Sequence, residues 1–300
     1  MLDKIDAFSE YLKASGVSDN TALSYRRDLK QFALWLSDSF PGYDTQDISQ
    51  VMTERYVEEL MASERSTATI SRCVTSFRKF FSWAFAKGYV FNDPSVGLKA
   101  PKVIKNMPVT ADTTDIERLI AAVNHRTAKG KRDIAIIKLI SSTGISSAEL
   151  LSLKTVDIDL KKRQLRAGIK NKRVLNIDKK TFSALKQYLL KGRDELLNME
   201  ADNTGSEVPI NHISNYTDNE LLFLSCGGSE ISRQGLWKIL KKYSELAGIG
   251  KNVTPEMLRH SYAVLAIKEG EEISDLQKKL GHITKNSVTE YAEIAKRHLR

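Results

Sequence analysis

The sequence predicts a mainly α-helical chain with a small β-sheet (α+β), divided into two domains. Apolar side chains recur at helical spacing through most of the chain. The stretch from Gln164 to Ile177 instead alternates apolar and polar residues on both sides of the polar turn Ile-Lys-Asn-Lys, which is typical of a β-hairpin. Between the two helical regions, residues 92–110 contain three prolines and a glycine and lack periodicity, which indicates a linker.

The first domain, residues 1–91, is predicted to be a small helical bundle. The first helix is expected from about residue 5 to near Gly16, the second after possible caps at 18–21 and through Leu36, and the others at about 47–63 and 67–86. The aromatic residues of the fourth helix, such as Phe77 and Trp83, recur with helical periodicity. This favours a place in the core over base stacking.

The linker carries Lys99, Lys102 and Lys105. Lysines in such a segment suit a linker that crosses a nucleic-acid backbone, but a merely solvated linker has the same composition. Both interpretations stay open.

The second domain, residues 111–300, begins with two predicted helices and contains the hairpin. Residues 194–220 are acidic and polar without periodicity, which indicates a surface insertion. Further elements are predicted as helices at about 113–125, 130–142, from Ser147, 180–192, 232–247 and from about 286, and as a strand at 221–225.

The charge of the chain indicates a polyanionic partner. There are 46 Lys and Arg residues against 37 Asp and Glu, a net charge of +9. The excess lies in residues 101–300, which hold 34 basic and 24 acidic side chains, whereas residues 1–100 hold 12 and 13. The predicted electrostatic attraction for polyanions therefore belongs mainly to the second domain.

The two cysteines, Cys73 and Cys226, lie far apart and outside any Cys-x-x-Cys pair. The sequence therefore predicts neither a disulfide framework nor a zinc site. It predicts a reducing, cytoplasmic location. The N-terminus carries acids where a signal peptide has an apolar run, and no stretch of 18 apolar residues occurs. We expect no export, no membrane span and no metal or other cofactor.

Three local patterns near the C-terminus carry candidate chemistry. Thr254 and the proline after it predict a helix start that brings Glu256 and Arg259 onto one face. His282 follows a glycine that ends a helix, and Tyr291 lies nine residues further on. Each has a structural alternative: Arg259 could pair with Glu256, the histidine could be a cap and the tyrosine could be packing.

Together, an arginine, a histidine, a tyrosine and a hairpin lysine can transfer a phosphodiester to a protein hydroxyl without metal. Tyrosine attacks phosphorus, cations bind the non-bridging oxygens as charge grows there, and an acid protonates the departing oxygen.

The order TPEMLRHSYA, LGH and a tyrosine nine residues later resembles the C-terminal signature of the tyrosine recombinases, or phage-integrase family, and especially of its bacterial Xer-type members (XerD-like). The segments DPSVGLKAPKVIKNMPV, RDIAIIKLISSTGISSAELLSL and SRQGLWKILKKYSELAGI are similar to Xer-type text in the same order. The resemblance implies a SAM-like N-terminal core-binding domain and a C-terminal catalytic domain that together clamp duplex DNA.

Carried over to this sequence, the resemblance implies that Tyr291 is the nucleophile, which forms a 3′-phosphotyrosyl link and releases a 5′-hydroxyl. It makes His282 the second histidine and Arg259 the second arginine of the family's set. The general acid falls on Lys170, with Lys172 a rival because the hairpin is one residue shorter than the family's.

Two positions depart from the family's pattern. Ser146 replaces the first catalytic arginine, and Glu256 replaces the first catalytic histidine. Serine cannot supply a permanently charged bidentate clamp, and a carboxylate repels the phosphate or neutralises Arg259. Removing one preorganised donor costs roughly 10² to 10³ in rate, so turnover is expected to be impaired.

Three functions follow as hypotheses. The first is a site-specific recombinase that integrates or exchanges DNA strands, working as a homo- or hetero-tetramer with another recombinase protomer. The second is a catalytically deficient DNA-binding relative that acts as a structural or regulatory partner at a recombination site. A topoisomerase-like enzyme ranks last. None of the three involves a membrane or a small-molecule substrate.

Phosphate contacts are predicted to dominate affinity for duplex DNA, and groove contacts to supply sequence preference. The candidates on the fourth helix of the first domain and on the helix predicted at 232–247 are equally plausible as solvated surface. The candidate DNA-binding residues are Arg72, Arg78, Lys79, Lys102, Lys105, Arg233, Gln234 and Lys238.

Overall fold

The computed structural model describes residues 1–103, 107–169, 172–198, 220–281 and 285–297, with the backbone alone for 285–287 and 297. The chain divides into two compact units, Met1–Asn106 and Met107–Arg300. The mainly α-helical class with one small sheet is confirmed.

The described residues of the first unit form four α-helices and a short 3-10 turn. Serine side chains cap two of the helices: Ser18 and Ser66 each accept a hydrogen bond from the backbone N–H three residues later. The elements are α1 (Leu2–Ala14), α2 (Asp19–Ser39), the 3-10 turn Thr45–Asp47, α3 (Gln50–Ala62) and α4 (Thr67–Ala86).

The core of this unit is aromatic. Phe32, Phe77 and Phe81 are fully buried, and the ring centroids of Phe32 and Phe77 lie 4.7 Å apart. Phe8 of α1 meets Phe80 of α4 edge to face at 5.4 Å. The prediction that these aromatics form a core is therefore confirmed, and burial of apolar ring surface holds the four helices together.

The segment that follows α4 packs first on the helical bundle. Leu98 is buried in its core, and Thr53 donates a hydrogen bond to the carbonyl of Pro94 at 2.7 Å. Ala111, at the other end, donates its N–H to Ser261 of the second unit at 2.8 Å. Residues 92–98 of the predicted linker thus have contacts of their own, and the predicted domain boundaries stay a prediction.

The second unit is built around α6, which is buried along most of its length and packs against α8 and α11. Its helices are α5 (Thr113–Ala121), α6 (Ala128–Thr143), α7 (Ser147–Ser152), α8 (Lys179–Gln187), α9 (Arg193–Asn198), α10 (Arg233–Leu246), α11 (Pro255–Lys268), α12 (Ile273–Leu280) and α13 (Lys285–Arg297).

The sheet has three antiparallel strands in chain order, β1 (Ile158–Asp159), β2 (Gln164–Ala167) and β3 (Arg173–Asn176). Leu165 pairs with Leu175 in the hairpin, which confirms the prediction of paired strands there. The sequence analysis missed β1, because two residues are too short to show an alternating pattern.

Two predicted elements differ from the structure. The described start of the predicted insertion 194–220 is helical: α9 continues from α8 through a π-helical turn, Tyr188–Gly192, and buries Leu196. The sequence analysis missed this helix because half of its side chains are charged and Leu196 is its one buried apolar residue. The strand predicted at 221–225 was wrong, because this buried apolar segment forms only isolated bridges, such as Leu224 with Glu230.

Within the described ranges, no helix combines the length and the apolar character needed to cross a membrane. The same ranges contain no group of three or more His, Cys, Asp or Glu side chains placed to hold a metal ion.

Replacing Phe77 with Ala should lower the free energy of unfolding of the first unit by about 3 to 5 kcal/mol, because it removes a buried ring and leaves a cavity. Urea denaturation of the full chain, followed by tryptophan fluorescence, measures this. The matched control is Phe91→Ala, whose side chain is 73% exposed and should change stability by less than about 0.5 kcal/mol. Equal losses in both variants would contradict the aromatic core.

Candidate active site

The start of α11 positions two candidate side chains. Thr254 accepts a hydrogen bond from the N–H of Met257 at 3.1 Å, and Pro255 occupies the first helical position, as the sequence predicts. The cap fixes the first turn, so Arg259 and His260 leave the helix in defined directions. Both are half-buried.

Arg259 joins three segments of the second unit. Its Nη1 donates to the carbonyl of Gly144 at 2.7 Å, and its Nη2 donates to the carbonyl of Leu280 at 2.7 Å. The Nη1 atom also lies 3.7 Å from Oε2 of Glu149. Burial lowers the pKa of Arg259, and the nearby Glu149 and Tyr291 oppose this change. The side chain remains a cation at neutral pH, because arginine begins from a very high pKa.

Gly144 is required where it contacts Arg259. It ends α6 at φ +63°, in the left-handed region, and a Cβ there would lie 2.4 Å from the ring of Tyr262. Only glycine combines this backbone conformation with so close a neighbour. The carbonyl of Gly144 is thereby held against the Arg259 guanidinium.

Tyr291 is buried, with 3% of its surface exposed, and its Oη lies 2.8 Å from Nδ1 of His260. Burial raises the pKa of Tyr291, although the charge of Arg259 opposes this. Burial also lowers the pKa of His260. At neutral pH both groups are therefore uncharged. In the tautomer with its proton on Nε2, His260 accepts a hydrogen bond from the phenol O–H.

A phenol that is hydrogen-bonded to a neutral imidazole is an arrangement in which the imidazole can act as a general base toward the hydroxyl. Arg259 adds a guanidinium on the same helix as that imidazole. The sequence analysis missed His260, although it lies inside the TPEMLRHSYA run. The only signal for it is its position next to Arg259. Its contact with Tyr291 depends on α13 packing against α11, which spacing along the chain does not reveal.

The side chain of Ser146 caps a helix. It is the N-cap of α7 and forms a capping box with Glu149: its Oγ accepts from the N–H of Glu149 at 3.3 Å and donates to Oε2 at 2.7 Å. Position 146 therefore contributes a short, uncharged side chain to the site.

Glu256 is exposed and accepts a hydrogen bond from Oγ of Ser147 at 3.1 Å. The carboxylate that pairs with Arg259 is that of Glu149 and not that of Glu256. The ion pair between Arg259 and Glu256 that sequence spacing allowed is therefore not formed. Arg259 instead pairs with Glu149, which lies on a different helix.

Of the two candidate lysines and the histidine that the resemblance implies, the structure describes only Lys172. Lys170 and His282 lie outside the described residues. Nζ of Lys172 lies 2.5 Å from Oδ1 of Asp157; the lysine side chain is 52% exposed, and the aspartate side chain is 5% exposed. Lys172 is therefore held by a buried carboxylate.

Arg173, the first residue of β3, was not among the predicted site residues. Its Nη1 and Nη2 both donate to Glu149, the latter at 3.3 Å, and its Nε donates to the carbonyl of Lys279. Glu149 thus accepts from an arginine on one side and from Ser146 on the other, and it also pairs with Arg259. The hairpin brings a second guanidinium to this carboxylate.

The predicted DNA contacts of the first unit have different environments. Arg72 forms an ion pair of 2.5 Å with the buried Asp28, and Arg78 donates to the carbonyl of Leu98. Lys79 and Lys102 are exposed. Lys105 lies outside the described residues.

In the second unit, Arg233, Gln234 and Lys238 are exposed along α10. The sequence analysis did not single out Trp237 of the same helix, which is 41% exposed and has Nζ of Lys241 5.3 Å from its ring centroid. This face of α10 combines cations, an amide and an aromatic ring, which suits contact with nucleic acid.

Comparison with known proteins gives consistent matches. Residues 110–298 match the phage integrase family, and residues 5–88 match the N-terminal SAM-like domain of phage integrases. The tyrosine recombinase XerC of Roseiflexus sp. (strain RS-1) is 31% identical over 298 residues, which cover 98% of this chain and 90% of XerC. The tyrosine recombinase XerD of Listeria innocua is 28% identical over 303 residues, covering 100% of this chain and 97% of XerD.

Two solved structures share the fold. The XerH recombinase in a post-cleavage complex with its palindromic difH substrate has a TM-score of 0.69 at 22% identity, over 96% of this chain and 80% of that one. A lambda integrase dimer bound to a core site has a TM-score of 0.68 at 15% identity, over 97% of this chain and 94% of that one.

Glu149 should make folding sensitive to acid. Burial raises its pKa, but hydrogen bonds from Arg173 and Ser146 outweigh burial and hold the pKa below the ordinary value of 4.5. A depressed pKa stabilises the folded state fully above the unfolded value, and this contribution is lost as pH falls below 4.5 through the folded value. Denaturation between pH 7 and pH 3 should therefore show a smaller acid-induced loss for Glu149→Gln than for the unmodified chain.

The control for this measurement is Glu10→Gln, in the exposed ion pair with Lys13. It should follow the unmodified chain at every pH, because exposed pairs contribute little. An acid response of Glu149→Gln identical to that of the unmodified chain would contradict the role of this carboxylate.

Proposed function

The chain belongs to the phage integrase family, as its motifs predict, and we propose that it is a site-specific DNA recombinase. In this proposal it binds duplex DNA, cleaves one strand at a time through a 3′-phosphotyrosyl intermediate and rejoins the ends on a partner strand. The phosphotyrosyl bond conserves the energy of the phosphodiester, so rejoining needs no cofactor.

The observation that carries the proposal is the hydrogen bond between Tyr291 and His260, with Arg259 next to that histidine. The Oη of Tyr291 forms a bond to phosphorus as the bond from phosphorus to the 5′-oxygen breaks. The phenol proton passes to Nδ1 of His260, and Arg259 binds a non-bridging oxygen where negative charge grows.

The remaining roles follow from the family resemblance. His282 is proposed to bind the phosphate beside Arg259, and a hairpin lysine, Lys170 or Lys172, is proposed to protonate the leaving 5′-oxygen. If Lys172 is that acid, its ion pair with Asp157 has to open when DNA binds.

We propose that Ser146 and Glu256 slow the reaction. Ser146 offers a hydroxyl that is already engaged with Glu149, and Glu256 adds a carboxylate near the first turn of α11. Each lost phosphate contact costs roughly 10² to 10³ in rate, so turnover well below that of a fully equipped enzyme is expected.

Duplex DNA is the proposed partner. The structures of XerH and of lambda integrase that share this fold are complexes with recombination-site DNA. We propose that four protomers, either identical or shared with another recombinase, assemble on DNA in the cytoplasm. Residues 1–91 are the proposed core-binding domain, 92–110 the linker and 111–300 the catalytic domain.

A second candidate function is a DNA-binding partner that does not cleave by itself. The capping box at Ser146 favours it, because this side chain serves the helix and leaves position 146 without a charge for phosphate. Such a protein would occupy a recombination site beside an active protomer and supply structure or regulation.

Cleavage tests the first function against the second. A binding site is first selected from randomised duplexes by the protein itself, and is then nicked near its centre so that cleavage becomes irreversible. We expect a covalent protein–DNA band on a denaturing gel, because the nick releases the strand that would otherwise attack the phosphotyrosine. The band should be absent for Tyr291→Phe and reduced at least about tenfold for His260→Ala, since general bases contribute roughly 10² to 10⁴.

Binding without a band would reject cleavage by the unmodified chain. A band that appears only in the double variant Ser146→Arg, Glu256→His would then establish the second function. A chain that selects no duplex would contradict both functions.

Removing charge from α10 should reduce the dependence of DNA affinity on salt. Each phosphate contact contributes a slope of about −0.9 to the logarithm of affinity against the logarithm of salt, because a counterion is released from B-DNA. Arg233→Ala and Lys238→Ala should each make the measured slope shallower by about 1. Lys13→Ala, whose charge pairs with Glu10, is the control and should leave it unchanged. An unchanged slope in all three variants would exclude α10 from the interface.

A further inference from the structure

We propose that Arg173 replaces the missing arginine at position 146 and binds a non-bridging oxygen of the scissile phosphate beside Arg259. This inference rests on the proposed function, and it concerns a residue that the sequence motifs do not single out. The replacement comes from the β-hairpin and not from α7.

The first support is position. Ser146 Oγ lies 2.7 Å from Oε2 of Glu149, and Arg173 donates to both oxygens of the same carboxylate. The Arg173 guanidinium is therefore separated from the side chain of position 146 by a single carboxylate group. An arginine that reaches Glu149 from strand β3 occupies the neighbourhood that an arginine at position 146 would share.

The second support is the shared anchoring of the two arginines. Arg173 donates to the carbonyl of Lys279, and Arg259 donates to the carbonyl of the next residue, Leu280. Both also contact Glu149. The C-terminal end of α12 and one carboxylate thus anchor both guanidinium groups, and each guanidinium has the planar fork of donors that suits phosphate oxygens.

The third support is charge. Two guanidinium groups share Glu149, while Glu256 is exposed and bonded to Ser147. One carboxylate leaves an excess positive charge, which a phosphodiester would neutralise. Arg173 has five N–H donors, and its three bonds with the described residues leave two for a ligand. Its side chain is 16% exposed.

Gly281 makes room for this guanidinium. It has φ +70°, and a Cβ there would lie 2.9 Å from Nη1 and 3.1 Å from Cζ of Arg173. The arginine therefore packs directly on the backbone that follows α12, the segment that leads to the predicted His282. A side chain at this position would push the guanidinium away from the site.

A purely structural role for Arg173 would be to neutralise Glu149. The two roles differ in what happens when the phosphate loses its charge. If Arg173 stabilises negative charge on the scissile phosphate, a neutral phosphate reduces the need for it. If it only supports the fold, the charge of the DNA makes no difference.

The test compares single-turnover cleavage of two nicked duplexes that carry the selected site, one with a natural scissile phosphate and one with a methylphosphonate at that position. On the phosphodiester, Arg173→Ala should cleave at least about 10²-fold more slowly than the unmodified chain. On the methylphosphonate, it should cleave within about tenfold of the unmodified chain. Arg173→Lys keeps a charge without the planar fork, and it should fall between these limits on the phosphodiester.

Arg166→Ala removes an exposed arginine from the neighbouring strand β2 and is the control. Any loss that it causes should be the same on both duplexes. Thermal unfolding accompanies each variant, and if Arg173→Ala is unfolded, the comparison is made with Arg173→Lys.

Cleavage by the Arg173 variants at the rate of the unmodified chain, or an equal loss on both duplexes, overturns this proposal while the proposed function stands. Failure of the unmodified chain to cleave either duplex is a different result. It would reject the recombinase activity itself, and the role of Arg173 with it.

Discussion

The carboxylate of Glu149 is the interaction on which the site depends. It closes the capping box of α7, accepts two hydrogen bonds from Arg173 and lies within ion-pair distance of Arg259. These partners come from the hairpin, from α7 and from α11, which are far apart in the sequence. Breaking a largely buried ion pair by removing one partner leaves an uncompensated charge, so this carboxylate couples the geometry of the site to the stability of the fold.

Much of the fold could be predicted because its determinants are local. The threonine cap at Thr254 marks a helix start, and the periodicity of the aromatics in α4 identifies a buried face. The predictions that failed concern elements that are short or that depend on contacts between distant residues. The strand β1 has two residues, and the segment after Glu220 is apolar because it is buried and not because it is part of a sheet.

The candidate site follows the same division. Tyr291 and Arg259 could be predicted as candidates because a recognisable order of residues surrounds them, and they lie on α13 and α11 respectively. His260 and Arg173 could not, since what distinguishes each is a contact with a residue more than 20 positions away: His260 with Tyr291, and Arg173 with Glu149. A pattern read along the chain identifies residue types, whereas the pairing of these side chains is a property of helix and hairpin packing.

The burial of Tyr291 has a consequence for the timing of the reaction. The tyrosine belongs to a small apolar cluster of α11, α12 and α13, which is distinct from the large core around α6. If Tyr291 is the nucleophile, as proposed, its enclosed phenol has to become more exposed before it can meet a phosphate, and a small satellite cluster can open at a lower free energy than the main core. The fraction of molecules in which α13 has moved would then scale the observed rate.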